Sequence, residues 1–164
     1  MNVKDFFLRY ARYNVWANEQ IAEWIRAYPA DLSDVPTASS FPTLRLTLLH
    51  VWDAQYIWLA RLEGRPLLQL PSQGTHTSGA VALEGFTESA RAVERFIAER
   101  PEAYFDDAII YSNSSGQTFR HPVAGVLLHA IQHSAYHRGQ IVSMGRGLGM
   151  THPPQTDLIA FMRL

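Results

Sequence analysis

The chain contains 164 residues, of which 47% are hydrophobic and 12% aromatic, a composition typical of one compact domain, so we expect a single domain over residues 1–164. Its 14 Lys and Arg side chains nearly balance 15 Asp and Glu, giving a net charge of −1 at pH 7, which argues against the basic face of a nucleic-acid binder. Cysteine is absent, which excludes disulfides and thiolate zinc sites and makes the seven histidines the main candidates for metal ligands.

The first helix is predicted over residues 3–28, where apolar and small side chains recur at alternating steps of three and four. This spacing is typical of a helix face buried against neighbouring helices. The segment mixes charged and aromatic residues and contains no apolar stretch of the signal-peptide type. No run in the chain approaches the roughly 20 apolar residues of a membrane span. We therefore expect a soluble, cytoplasmic protein with no membrane partner.

The second and third helices are predicted over residues 43–63 and 81–100. The second has a largely apolar side and is followed by Gly64 and Pro66, which end helices. Residues 65–79 have the composition of an irregular loop.

Residues 103–121 break the helical pattern, because two short β-type runs flank a polar, glycine-containing turn, which indicates a hairpin. A fourth helix is predicted over 122–144, beginning at a proline and ending at Gly145, Gly147 and Gly149. The tail is expected to pack back on the bundle through Leu158, Ile159, Phe161 and Met162. The sequence thus predicts an all-α four-helix bundle with a small β-hairpin between helices three and four.

Three histidines recur every four residues in the fourth helix, at His129, His133 and His137. Four residues advance an α-helix by about 40° around its axis and about 6 Å along it, so the rings form a slanting row on one face. Two neighbouring members of the row can bind one ion, because side chains at i and i+4 lie one above the other. His129 and His137 are two turns apart, so the third ligand is expected from another helix.

His50 is the best candidate for that third ligand, because it lies on a largely apolar face of the second helix with Leu46, Ala54 and Ile57 around it. An ionisable ring is unusual on such a face. His50, His133 and His137 would form a three-histidine site with one or more positions left for water or substrate, as catalytic sites require.

The remaining histidines are interpreted differently. His129 has three candidate roles, as an additional ligand, as a partner that orients a ligand, or as a ring packed beside the site. His76, His121 and His152 lie in or near loops, where surface or capping positions are expected.

Three segments together resemble the DinB/YfiT-like family of metal-dependent enzymes: YNVWAN at 13–18, LLHVWDAQYIWLARLEG at 48–64, and HAIQHSAYHRGQI at 129–141. The similarity spans nearly the whole chain in the expected order. This family is unrelated to the DNA polymerase that shares its name.

The resemblance implies an up-down-down-up four-helix bundle that is frequently a homodimer. It also implies a nickel or zinc ion held by one histidine of the second helix and two of the fourth, which fall on His50, His133 and His137. Better-understood relatives use low-molecular-weight thiols in transferase or isomerase reactions, and others resemble hydrolases. Members often carry an acidic residue soon after the second-helix histidine, where this chain has Asp53 and then Gln55.

The leading hypothesis is an enzyme of the hydrolase or thiol S-transferase type, in which the metal activates water or a small-molecule thiol. The alternatives are a non-catalytic, metal-binding stress-response protein with a structural metal, and a helical interaction module with packed histidines. The catalytic residues themselves are not identified by the sequence.

Other side chains have roles that are less specific. Arg138 turns off the metal face by about 100° and is either a partner for Asp157 in the tail or an ordinary arginine at a helix end. Asp157 is alternatively a candidate to orient a ligand histidine. Trp52 and Tyr136 are more often core residues than substrate contacts. The loop 65–79 and the hairpin 105–120 are candidate walls of an active-site mouth.

Overall fold

The protein is described by a computed structural model that covers residues 2–74 and 77–164. Four long helices and one short C-terminal helix run in chain order as α1 (Val3–Arg26), α2 (Leu44–Leu62), α3 (Gly79–Glu99), α4 (Val123–Gly147) and α5 (Leu158–Phe161). An antiparallel hairpin of β1 (Ala108–Ser112) and β2 (Thr118–Pro122) lies between α3 and α4. The predicted helical bundle with one small hairpin is confirmed.

Polar side chains begin three of the long helices. Asn2, Thr43 and Ser78 each accept a hydrogen bond from the backbone N–H three residues later, at 2.7, 3.2 and 3.3 Å. These bonds satisfy N–H groups that have no partner inside the helix.

Two clusters of buried apolar residues show the directions of the helices. One cluster joins the end of α1 to the beginnings of α2 and α3 and the end of α4, through Ile21, Leu48, Phe86 and Ile141. The other joins the beginning of α1 to the ends of α2 and α3 and the beginning of α4, through Phe7, Leu62, Ile97 and Leu127. The helices therefore run up, down, down and up.

The connection between α2 and α3 returns along α2, because two consecutive helices that run the same way need a crossover. Ser72, in a short 3₁₀ turn of this connection, donates its backbone N–H to Asp53 Oδ1 at 2.9 Å. The carboxylate of Asp53 thus holds the crossover against the middle of α2.

Helix α4 extends three residues past its predicted end, because Gly145 does not break it. A Cβ at Gly145 would lie 2.5 Å from Trp24 Cη2, so the glycine gives the indole room against the helix. The helix ends where Gly149 adopts a positive φ of 85° and the Met150 N–H bonds back to the Gly145 carbonyl at 2.9 Å, as in a glycine C-cap.

The tail returns to the bundle through Phe161, whose ring lies 5.6 Å from that of Trp16 and 6.0 Å from that of Tyr13. The expectation was wrong for the other three apolar residues of the tail, which are exposed: Leu158, Ile159 and Met162. A four-residue helix has too little surface to bury more than one of its faces. No helix in the described ranges combines the length and apolarity that crossing a membrane requires.

Candidate metal centre

The candidate site lies between α2 and α4, where His50 faces His133 and His137. The Nε2 atom of His133 lies 3.2 Å from Nε2 of His50 and 3.2 Å from Nε2 of His137. One nitrogen from each ring lies within 4.8 Å of the other two. The structure therefore brings together the three histidines chosen from the sequence.

The separations between these nitrogens fit a shared ion. Ligand bonds of 2.0–2.1 Å at tetrahedral angles place two imidazole nitrogens about 3.3 Å apart, close to the 3.2 Å observed. Imidazole nitrogens suit zinc and nickel among the divalent metals. The donor set and its spacing thus fit a divalent metal ion.

Burial keeps the three rings neutral at pH 7, the form that can bind a metal. Burial and, to a smaller extent, the neighbouring His137, His50 and His129 together lower the pKa of His133 from 6.5 to about 4. Burial also lowers the pKa of His50 and His137. Desolvation disfavours the charged imidazolium, so the lone pairs stay available for coordination.

Gln140 selects the tautomer of His137. Nδ1 of His137 lies 2.7 Å from Oε1 of Gln140, and a carbonyl oxygen can only accept, so Nδ1 carries the proton and Nε2 keeps its lone pair. The amide nitrogen of Gln140 donates to Ser40 Oγ and to the Tyr136 hydroxyl, both at 3.1 Å. These two bonds fix which way the amide points.

His133 lacks such support, because its Nδ1 is buried without a hydrogen-bond partner in the described part of the chain. Its ring is positioned by its neighbours instead, with centroids 4.5 Å from that of His137 and 5.0 Å from that of His50.

Aromatic rings cover the site on two sides. Phe41, just before α2, stacks on His50 with centroids 4.3 Å apart. The ring of Tyr136 lies 5.0 Å from that of His137. Tyr136 was expected in the core, yet it is 63% exposed, because it follows His133 by three positions and shares the open side of the helix. It is therefore available to a substrate. Trp52 lies against the backbone of α3, where a Cβ at Gly85 would overlap its ring.

Comparison with known proteins identifies the family. The sequence profile described as "DinB family" matches residues 1–164. The chain belongs to the DinB family. It is 28% identical over 157 residues to Protein DinB of Bacillus subtilis (strain 168), an alignment that covers 93% of this chain and 91% of the relative. The resemblance stated from three motifs is confirmed over the whole chain.

In this DinB-family chain, His129 lies beside the three-histidine group and is not part of it. Its ring meets Trp58 edge to face at 5.0 Å and lies 5.8 Å from that of His133. It is exposed at the mouth of the site. Two turns of helix separate His129 from His137. For this reason the third ligand was expected on another helix.

The other histidines lie apart from the site. His121 is exposed, with its Nδ1 3.1 Å from the Tyr111 hydroxyl. His152 is exposed and has a positive φ of 51° in the loop after α4. His76 lies outside the described residues.

Arg138 turns into the core and joins two of the family's sequence motifs. It is 2% exposed. One Nη donates to Asn14 Oδ1, to Asn18 Oδ1 at 2.8 Å and to Ser134 Oγ at 3.2 Å, and the other donates to the Tyr13 hydroxyl at 3.1 Å. The segments 13–18 and 129–141 thus meet through one guanidinium.

The expected pairing of Arg138 with Asp157 was wrong. Asp157 is exposed and accepts from Gln155 at 3.4 Å, and within residues 2–74 and 77–164 neither a ligand histidine nor Arg138 bonds to it. Arginine is rarely buried, so its position next to a metal-face residue gave no reason to expect a core position.

Sequence reasoning also missed Gln140 and Phe41. Gln140 follows His137 by three positions on the same helix face, a spacing that predicts contact. Phe41 precedes the helix in an irregular segment, and no periodicity marks such a residue. Asp53, the acidic residue after His50, is occupied by the crossover.

Proposed function

We propose that this DinB-family protein is a metal-dependent enzyme in which a nickel or zinc ion on His50, His133 and His137 activates water or a low-molecular-weight thiol. The observation that carries this proposal is the convergence of three Nε2 atoms without a fourth histidine or carboxylate in the group, among the residues described. Three protein ligands and an open position are typical of catalytic sites, whereas structural sites are usually closed by four.

A bound divalent ion supplies a Lewis acid that lowers the pKa of water or a thiol towards neutrality. The neutral histidines leave the full charge of the ion available. Gln140 holds His137 in the tautomer that binds, and Phe41 shields His50 from water. The chain has no cysteine, so the thiol of an S-transfer reaction must come from a small-molecule partner.

The thiol branch is tested by loading the protein with Ni²⁺, measuring metal content and adding free cysteine. A sulfur-to-nickel charge-transfer absorption then arises only from the added thiol, because the chain contributes none. We expect the band in the wild type and in His152→Ala, whose side chain is exposed outside the site, and its loss in His50→Ala. A nickel-loaded wild type without the band would contradict the thiol branch.

The water branch is tested with the zinc-loaded protein and an activated ester such as 4-nitrophenyl acetate. We expect hydrolysis that disappears with a chelator and in His50→Ala and returns when zinc is restored. Hydrolysis that is the same with and without zinc would contradict this branch.

The alternative is a non-catalytic stress-response protein in which the ion is structural. It is favoured by the placement of the ligands on two different helices, which one ion would tie together. In that case metal removal would unfold the bundle, and neither thiol nor water would show reactivity. Circular dichroism before and after chelation separates the two proposals.

The assembly and location also belong to this proposal. We propose a cytoplasmic homodimer, on the family resemblance. Sedimentation velocity of the metal-loaded chain tests the dimer, and fluorescent tagging in cells tests the location.

A further inference from the structure

Arg61, in the last turns of α2, lies against two aromatic rings that meet edge to face with centroids 5.3 Å apart. Its guanidinium carbon lies 4.5 Å from the ring centre of Trp58 and 4.4 Å from that of Tyr111 on β1. Cation–π contacts of this kind restrict the position of a guanidinium. The side chain is therefore preorganised in the corner that the two rings form.

This guanidinium has no anionic partner in the described part of the chain. Its Nε is buried without a hydrogen-bond acceptor, and no acidic side chain in residues 2–74 and 77–164 lies within ion-pair distance of it. Burial lowers the pKa of Arg61, because a buried positive charge without a negative partner is disfavoured. A buried donor without an acceptor is unfavourable, and an anion that accepts from this guanidinium would offset that loss.

The cation lies beside open space formed by the crossover and the hairpin. A cleft of about 340 Å³ is lined by Arg61, Leu67 and Tyr111, and a second of about 460 Å³ by Ile57, Arg61 and Asn113. Ser112 lines both and contributes a hydroxyl. An oxyanion that enters either cleft meets Arg61 and the Ser112 hydroxyl. The smaller cleft is also lined by Arg65, which is paired with Glu63.

Arg61 and the metal ligand His50 lie on the same side of α2. Eleven residues separate them, which corresponds to about 20° around the helix and about 16 Å along it. Ala54 and Ile57 lie between them on this face, and both are half-buried. On the α4 side, the ring of His129 lies 5.8 Å from His133 and 5.0 Å from Trp58. A continuous wall of rings thus connects the histidine site to Arg61.

We propose that Arg61 binds an oxyanion, a carboxylate or a phosphate, at the far end of an elongated substrate whose reacting group lies at the three-histidine site. This inference rests on the proposed function. It makes Arg61 a specificity-determining residue that selects anionic substrates of sufficient length and aligns them along α2. The apolar face between the two sites accommodates an aliphatic or aromatic spacer.

The anion site is tested directly by the ¹H–¹⁵N NMR signal of the Arg61 Nε–H group in the metal-free protein. We expect a saturable shift of this signal when inorganic phosphate or acetate is added up to roughly 10 mM, and the stronger ligand identifies the preferred oxyanion. Arg12, which is paired with Glu94 and does not line either cleft, serves as the internal control. An Arg61 signal that does not respond to either anion, or moves no more than that of Arg12, would overturn the proposal.

The link to the histidine site is tested with the Ni²⁺-loaded protein and two series of thiols, ω-mercaptoalkanoates and the uncharged ω-mercaptoalkanols. Beyond a threshold length, we expect the carboxylates to bind at least about tenfold more tightly, the worth of one charge-assisted hydrogen bond. The preference should vanish in Arg61→Met and persist in Arg12→Met, which removes an exposed arginine that is paired with Glu94.

The outcomes distinguish this inference from the proposed function. If both series bind nickel equally at every length, the inference fails and the thiol branch of the proposed function stands. If neither series binds nickel while phosphate still shifts the Arg61 signal, the anion site is upheld and the thiol branch fails. Circular dichroism shows whether Arg61→Met is folded. If it is not, the NMR titration of the wild type still tests the anion site.

Discussion

Gln140 accepts a hydrogen bond from Nδ1 of His137 at 2.7 Å, so an uncharged amide determines which nitrogen of a candidate ligand faces the metal. Mutation of a residue that hydrogen-bonds to a ligand histidine typically lowers metal affinity 10–100-fold. We expect Gln140→Leu to weaken zinc binding by about this factor. Gln140→Glu keeps the acceptor and should bind zinc at least as tightly as the wild type.

Competition with a chromophoric chelator measures these affinities. Gln132→Leu, at an exposed position of the same helix, is the matched control and should bind like the wild type. Equal affinities for Gln140→Leu and Gln132→Leu would show that the amide does not support the site.

His129 is predicted to be dispensable for coordination. Because its ring packs on Trp58 outside the three-histidine group, His129→Ala should keep one metal ion per chain. His133→Ala should lose it, because His133 contributes the nitrogen nearest to both other ligands. Elemental analysis after gel filtration gives the stoichiometry, and loss of the ion from His129→Ala would reinstate it as a fourth ligand.

The free energy of unfolding of the metal-free protein should fall as the pH is lowered from 6.5 to 4. His133 has its pKa lowered from 6.5 to about 4 by burial and by the neighbouring histidines, so in this window the unfolded chain takes up a proton that the folded chain does not. Stability then rises with pH, since the unfolded state binds more protons.

Urea denaturation at several pH values measures this slope. His133→Asn should reduce the slope, while the same substitution at the exposed His152 should leave it unchanged. An identical slope in His133→Asn and the wild type would show that other titratable groups cause the pH dependence of stability.

Arg138 is predicted to stabilise the bundle through uncharged partners. Arg138→Met leaves the oxygens of Asn14 and Asn18 without their donor, so we expect the free energy of unfolding to fall by about 1–3 kcal/mol. Arg12, whose exposed ion pair with Glu94 spans 3.3 Å, is the control, and Arg12→Met should cost at most about 1 kcal/mol. Equal losses in urea denaturation would show that the buried network contributes nothing beyond the surface pair.

Two glycines of α4 should respond to alanine in opposite directions. Gly145→Ala would place a Cβ 2.5 Å from Trp24 Cη2, and overpacking of this kind costs about 1–3 kcal/mol. A Cβ at Gly139 would meet nothing within 4 Å, so Gly139→Ala should raise the free energy of unfolding by up to about 1 kcal/mol through its higher helix propensity. Thermal unfolding followed by circular dichroism measures both, and stabilisation by Gly145→Ala would mean that the indole moves aside freely.

The sequence predicted the bundle and the three histidines that the structure brings together, because both depend on helical periodicity. The HxxxHxxxH row forms one face of α4 whatever surrounds it, and His50 was recognisable because an ionisable ring stood among apolar neighbours. The direction of the crossover was supplied by the family resemblance, and the two core clusters confirm it.

Features that depend on contacts between distant segments were missed or mistaken. Arg138 was correctly placed off the metal face, but a rotation about the helix axis does not tell whether the new direction is core or solvent. Phe41 reaches His50 from an irregular segment, and Arg61 acquires its second ring only when the hairpin folds against α2. These relationships arise from tertiary packing, which a local pattern does not encode.

The ligands His50 and His133 are separated by 83 positions along the chain. All of α3 and the hairpin lie between them, so the site exists only after α2 and α4 have found each other. Contacts at such separations form late and slowly, because the intervening chain must first lose its freedom. An ion that needs ligands from both helices would bind the folded protein and not nascent or partly assembled chains, so metal occupancy would also report completed folding.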